Sequence, residues 1–374
     1  MLKIVSKKLD EVLQAISTLS ASDREWLTKK LSQETYQRNT KAINKAEENK
    51  DFIKQRFASG VCCPLCGGTH IVRNGHRKDG TQRYVCKECN KSFVITTNST
   101  FENSHKSISV WKKYIECMIN KFSIRKTAEI CEITARTSFV WRHKILDTLQ
   151  GMSDDVYLSG IAEADETFFP ISYKGNHKNS MTFVMPRQPH KRGKDHDFTY
   201  VKQEDGSFKK EKLLNKRGLS KDLVCVPCAV NRMGYSIAKI SNLGKISTKA
   251  LEKVYGERIK SDTVLCTDKE KAYRGFAKER EIELVQLKDH QNKKGIYNIQ
   301  TINSYHSRLK KFIEAFNGVS TKYLNNYLIW HNIINFSRGT EIDKQKDVLA
   351  YLMIKHFHEK NKQVSERPSL PLLV

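Results

Sequence analysis

The run Ile161-Ala-Glu-Ala-Asp165-Glu-Thr-Phe-Phe169 reads as a β-strand with acidic residues in its middle. Successive side chains of a strand point to opposite faces, so Asp165 falls on one face and Glu166 on the other, and only one of them can reach a given site. Further β-rich runs follow at Leu223–Val230, Tyr235–Ile240, Thr263–Thr267 and Ile282–Leu287. Helical patterns intervene near Ser247–Tyr255 and Tyr273–Lys278. Three early strands followed by alternating helix and strand predict an α/β domain built on a mixed sheet, over residues 153–340. Residues 173–219, between the first two strands, are rich in Lys, Arg, His and Gly and read as a basic loop insertion.

Asp268 comes directly after the apolar strand Thr263-Val-Leu-Cys-Thr267, at the carboxyl end where ligand sites of α/β sheets gather. Two carboxylates delivered into one crevice repel each other unless they are protonated or bridged by cations. Hard oxygen ligands suit Mg²⁺ or Mn²⁺. Taken singly, either aspartate reads equally well as an ordinary strand-end carboxylate. From Thr301 to Phe316 the residues Ile302, Tyr305, Leu309, Phe312 and Phe316 recur at helical spacing and predict a helix packed on the sheet. Asn303, His306 and Lys310 line the adjacent stripe. Cys225-Val-Pro-Cys228 has metal-like spacing, but residues three apart in a strand face opposite ways, so buried thiols are expected there.

Upstream, Cys63-Pro-Leu-Cys66 and Cys86-Lys-Glu-Cys89 are separated by nineteen residues in a polar, basic stretch. Two such pairs supply the four soft ligands, Cys63, Cys66, Cys86 and Cys89, of a closed structural Zn²⁺ site. Cys62 is a rival for Cys63, disfavoured by its spacing to Cys66. Strand-like runs at Gln82–Cys86 and Ser92–Thr96, with no following His pair, predict a zinc ribbon over residues 59–104. Over 105–152, helices are expected at Ser109–Asn120, Ile124–Cys131 and Ala135–Leu149, with a tight turn between the last two. That order describes a helix-turn-helix, a plain three-helix bundle being the alternative. In it Arg136, Thr137, Ser138, Arg142 and His143 would lie on the exposed face of the third helix and meet DNA.

Residues 1–58 read as a polar helical arm with one thin apolar stripe, a candidate for oligomerisation, with a capping box at Ser22-Asp-Arg-Glu25. Residues 341–374 form a tail. The 66 Lys and Arg against 41 Asp and Glu leave a net charge of +25, which calls for a polyanionic partner, nucleic acid first. No run approaches eighteen apolar residues, and the first residues lack a signal-peptide apolar stretch, so a soluble, intracellular protein without a membrane partner is expected. Ten cysteines, four in metal spacing, fit a reducing compartment. No phosphate-cradling G-x-x-x-x-G-K-[ST] loop occurs.

The strings "ADETFF" around Asp165, "CTDKEKAYRGFA" around Asp268 and "TINSYHSRLKKFIEAFNGVSTKYLNNYLIW" from Thr301 resemble the catalytic segments of DDE-superfamily insertion-sequence transposases. More narrowly they are similar to the ISXO-type group, the insertion-sequence family numbered fifteen-ninety-five. "KRGLSKDLVCVPCAV" at Lys216–Val230 is similar to that group's second strand, and the resemblance runs from about residue 60 to 335. It implies an amino-terminal zinc ribbon and an RNase H-like catalytic domain that cuts and joins DNA with Mg²⁺ or Mn²⁺. Asp165 and Asp268 match the first two carboxylates, Asn303 the third position, where many relatives have Glu, and Lys310 a lysine seven residues on. An amide oxygen there can bind a cation but brings no charge. The implied partners are double-stranded DNA, at element ends and target, and further copies of the chain as a homodimer or larger oligomer. The implied location is the cytoplasm of a bacterium, at the nucleoid. Two other readings remain open: an inactive zinc-ribbon DNA-binding regulator, and a metal-dependent nuclease.

Overall fold

The computed structural model describes residues 14–30, 52–54, 56–58, 60–77, 81–176, 198–212, 223–287, 293–336, 341–355 and 361–372. They divide into two compact units, one containing residues 1–95 and 103–112, the other 96–102 and 113–374.

In the first unit, residues 14–17 and 21–30 are helical. Ser20 caps the second helix, its Oγ accepting the Asp23 backbone N–H at 3.2 Å. The capping residue thus stands two positions before the expected Ser22, because it is the Asp23 amide that needs an acceptor. Of the rest of the arm, residues 52–54 and 56–58 are described, with Phe52 buried and Phe57 edge-on to Tyr84 at 5.9 Å. The antiparallel strands β1 (Ile71–His76), β2 (Gln82–Cys86) and β3 (Ser92–Val94) follow. Tyr84 stacks on Phe93 at 5.5 Å and, with Cys63 and Cys86, forms a small core. So little apolar surface leaves a fold of this size dependent on a cross-link.

In the second unit, among the described residues, a mixed five-stranded sheet has the order β10-β9-β4-β7-β8. The strands are β4 (Ile161–Pro170), β7 (Leu223–Asn231), β8 (Ser236–Ala238), β9 (Val264–Thr267) and β10 (Glu283–Gln286). β4 runs antiparallel to β7 and parallel to β9. The expected basic loop contains an antiparallel hairpin of its own, β5 (Phe198–Lys202) and β6 (Phe208–Lys212), turned where Asp205 Oδ1 accepts the Ser207 N–H at 2.8 Å. His177, His190 and His196 lie outside the described residues.

One face of the sheet carries Ala162, Ala164 and Ala229, small enough to admit the large side chains of α4 (Thr248–Tyr255) and α5 (Lys271–Glu279). Leu251, Tyr255, Tyr273 and Phe276 are all essentially inaccessible there, and each such burial stabilises by about 2–3 kcal/mol. The two helices touch closely where Gly275 meets Thr248, and a Cβ at 275 would stand 2.5 Å from the threonine hydroxyl. The opposite face receives α6 (Gln300–Glu314), which packs on β4 and β7 through Ile302, Tyr305 and Leu309. Cys225 and Cys228 are both fully buried, on opposite faces.

Helices α1 (Ile108–Ile119), α2 (Ile124–Ile130) and α3 (Ala135–Thr148) form at the expected places, with Ser123 and Thr134 capping α2 and α3. Glu132 turns the chain between them with φ 51°. α3 does not stand free as a recognition helix, because it packs within the second unit against α7 (Leu324–Phe336). Ser138, Arg142 and His143 are therefore buried, which corrects the expected exposed face. Ser138 donates to the Ile124 carbonyl at 2.9 Å, and Arg142 donates to the Phe122 carbonyl at 2.8 Å with its guanidinium over the Trp330 ring. His143 stacks on Tyr323 at 4.1 Å, and burial pushes its pKa well below the usual imidazole value. The physical reason is spacing: residues 138, 142 and 145 form one helical stripe, and that stripe is the packed one. Arg136 remains exposed, while Thr137 is half-buried and engaged with Thr134. The segment read as a tail contains α8 (Glu341–Ile354) and a short helix whose Val364 is buried, its carbonyl accepting the Tyr323 hydroxyl at 2.9 Å.

Candidate active site

β4 delivers three carboxylates, and the alternation of the strand sorts them. Glu163 and Asp165 face α6, while Glu166 faces α5 and accepts the Tyr273 hydroxyl at 3.1 Å. On the neighbouring parallel strand, Glu163 pairs with Cys266, so Asp165 and Asp268 each lie two residues beyond that pair on adjacent strands. Parallel register thus brings Asp165 and Asp268 side by side. Asp165 Oδ1 accepts the Glu166 N–H at 2.9 Å, and Asp268 Oδ1 accepts the Glu270 N–H at 2.9 Å.

Burial, then the charge of Asp268, pushes the Asp165 pKa up to about 6. Burial, then Asp165 and Asp268, pushes Glu166 up to about 7. Each cause disfavours another negative charge, and a cation in the pocket would offset both. Lys310 on α6 offsets part of the field at Asp165.

Helix α6 presents His306 to this pocket, its Nδ1 3.7 Å from Asp165 Oδ2. The imidazole is not charged, because burial and then Lys310 pull its pKa down to about 4, so the contact is no ion pair. Asn303 and Lys310 flank His306 at one turn on either side, both exposed. Asp165, Asp268 and His306 are not drawn within 4.8 Å of one another; among the described residues only the cysteine cluster is that tight.

What holds α6 at this place is Glu163, whose side chain is fully buried. Its carboxylate accepts the backbone N–H groups of Thr301 at 2.7 Å and Ile302 at 3.0 Å, and the Thr301 hydroxyl at 2.9 Å. Arg232 stands 3.2 Å away. A buried carboxylate thus closes the amino end of α6, where free amides and the helix dipole favour negative charge. An acidic residue two positions before Asp165, on the same strand face, was the visible signal for this anchor. Glu163→Ala leaves these donors without their acceptor and is expected to lower unfolding free energy by about 3–5 kcal/mol, read from urea melts.

In the first unit the four cysteines converge, all Sγ atoms within 4.8 Å of one another, so they could hold a metal ion. Cys63 and Cys89 are 3.8 Å apart, Cys66 and Cys86 3.6 Å. The two pairs fold alike: Cys63 N–H donates to the Gly68 carbonyl at 2.8 Å and Cys86 N–H to the Lys91 carbonyl at 3.1 Å. Gly67 and Asn90, each just after the second cysteine of its pair, take positive φ. Backbone N–H groups, that of Cys89 foremost, bring the Cys86 thiol down to about 7, toward the thiolate that binds metal. Cys62 is not in the cluster.

Residues 195–329 match the family model described as the ISXO2-like transposase domain. Over 125 residues the chain is 27% identical to an uncharacterized protein in transposable element ISH50 of Halobacterium salinarum. That match takes in 33% of this chain and 42% of the relative, so the chain spans less than half of the relative's length. A solved structure, the crystal structure of a pre-cleavage Mos1 transpososome, is similar at 12% identity over 65% of this chain and 79% of that one, with a TM-score of 0.18. So low a score says nothing about shared architecture. Asp268, Asn303, His306 and Lys310 fall inside the segment that is similar to the ISXO2-like transposase domain, and Asp165 precedes it.

Proposed function

We propose that this chain is a transposase that binds the ends of an insertion element and catalyses metal-dependent DNA cleavage and strand transfer. The observation that carries the reading is the register of β4 and β9, which sets Asp165 beside Asp268 under the helix that bears Asn303, His306 and Lys310. The pocket fits a divalent ion, since Asp165 is half-buried beside the charge of Asp268, and a cation there would offset both the burial and the repulsion that hold its pKa up. Asp165, Asp268 and Asn303 would hold Mg²⁺ or Mn²⁺. Divalent ions bound there would supply an activated attacking oxygen and a stabilised leaving oxygen. Lys310 neutralises phosphate charge beside Asp165, and Glu163 keeps the helix in register with the strand. In this reading the sheet and its helices form an RNase H-like catalytic domain. The four cysteines hold a structural Zn²⁺ in a ribbon that reads terminal repeats, with Arg136 among the residues left to touch DNA. Two ends must be held together, so a homodimer or larger oligomer assembles on double-stranded DNA, in the cytoplasm at the nucleoid.

One observation favours a second reading. Asn303 brings no charge, as a DNA-binding regulator without catalysis would tolerate. Purified protein with end-containing DNA and Mn²⁺ separates the readings, because a transposase yields joined products, a nuclease stops at cleavage and a regulator only shifts the DNA. Absence of joined products would remove the proposal.

The raised carboxyl pKa of Asp165 gives a second expected result. Below pH about 6, Asp165 carries a proton that a cation must displace, and well above that it does not. Mn²⁺ affinity, measured by calorimetric titration, should therefore rise with pH through this window and be about tenfold or more weaker at pH about 5 than at pH about 8.

A further inference from the structure

We infer that His306 is a nitrogen ligand of the divalent ion at Asp165, compensating for the charge that Asn303 does not bring. The inference rests on the metal-dependent reading above and adds a residue to it.

Position comes first. Asn303, His306 and Lys310 follow one another at three and four residues along α6, on a single stripe, and His306 is the member turned into the pocket. Asn303 is exposed, and among the described residues nothing hydrogen-bonds its side chain. His306 is 9% exposed.

Distance comes second. The 3.7 Å between His306 Nδ1 and Asp165 Oδ2 is too long for a hydrogen bond. It falls within the span of about 3–4 Å open to two ligands that each stand about 2.0–2.2 Å from one ion.

Among the described residues His306 Nε2 has no hydrogen-bond partner although it is buried. With a proton on Nδ1 the ring points a donor at an oxygen it does not reach. With a proton on Nε2 it points a lone pair at the lone pairs of a carboxylate, a repulsive arrangement unless a cation lies between. A divalent ion between Nδ1 and the carboxylate removes that repulsion and fixes the ring proton on Nε2, and a mixed nitrogen and oxygen donor set favours Mn²⁺ over Mg²⁺ relative to an all-oxygen site.

The test uses the full-length, zinc-loaded protein and Mn²⁺ alone. Pulsed electron paramagnetic resonance should show modulation from a directly bound ¹⁴N in the parent. That signal should be lost in His306→Ala and His306→Gln and kept in Asn303→Ala. Mn²⁺ affinity should fall about ten- to a hundredfold in both His306 variants. Glutamine conserves volume, and circular dichroism checks that it folds. Bound Mn²⁺ without nitrogen modulation, modulation that survives in His306→Gln, or no Mn²⁺ uptake by the parent each overturns the inference. The functional reading is scored separately by strand transfer: nitrogen-ligated Mn²⁺ in a protein that joins no DNA would sink that reading and leave His306 as a ligand.

Discussion

Asp268→Ala is expected to abolish cleavage and joining of end-containing DNA while leaving the protein folded and able to bind that DNA. The side chain sits where β9 ends, beside Asp165 on the adjacent strand. Removing a ligand that positions the attacking and leaving oxygens should cost about 4 kcal/mol or more of transition-state stabilisation, about a thousandfold in rate. The structural cost is smaller. Asp268 accepts a single backbone N–H, from Glu270, and loss of such a cap lowers stability by about 1 kcal/mol. Denaturing gels of cleaved and joined strands in Mn²⁺ read the first effect and thermal melting the second. A variant that cuts and joins as well as the parent would show that chemistry lies elsewhere.

The second large effect concerns the four cysteines. Removing the metal with a chelator, or replacing Cys86 with serine, is expected to unfold residues 60–95 and to abolish binding of end DNA. The core beneath the cluster is little more than Tyr84 and Phe93 with Cys63 and Cys86 themselves, too small to hold the strands unaided. Structural zinc contributes about 10–16 kcal/mol in comparable thiolate sites, more than the whole stability of a small domain. Cys62→Ser should leave zinc content unchanged, because Cys62 stands outside the cluster. Metal analysis and limited proteolysis check both statements. Equal zinc content in the Cys86 variant would overturn the site.

Where sequence and structure agree, a local rule was enough. The period-two pattern at Ile161–Phe169 assigned opposite faces to Asp165 and Glu166, and Glu166 does turn toward Tyr273. The stripe Ile302, Tyr305, Leu309 and Phe312 is the buried face of α6. The two cysteine pairs converge as their spacing required. Where they differ, distant segments decided. Ser138, Arg142 and His143 are polar and sit on a helix that follows a tight turn, which is why they read as a recognition face. Arg142 and His143 are buried because Trp330 and Tyr327 of α7 and Tyr323 just before it, about two hundred residues away in the chain, pack on them, while Ser138 is held by Ile124 and Tyr114. Glu163 gave only a weak signal, since its three donors belong to a helix start that the sequence leaves 138 residues downstream.

By itself, the sequence determined most strands and helices of the sheet domain, the apolar stripe of α6, and which carboxylates, amide and thiols are available, because side-chain alternation and ligand spacing act over a few neighbouring residues. Only the tertiary structure decided which of them meet: parallel register sets Asp165 beside Asp268, Glu163 fastens the far helix to the strand, and His306 turns inward while Asn303 faces solvent. The reason is that these contacts depend on how strands pair and helices dock across long loops, and no short-range pattern encodes that choice.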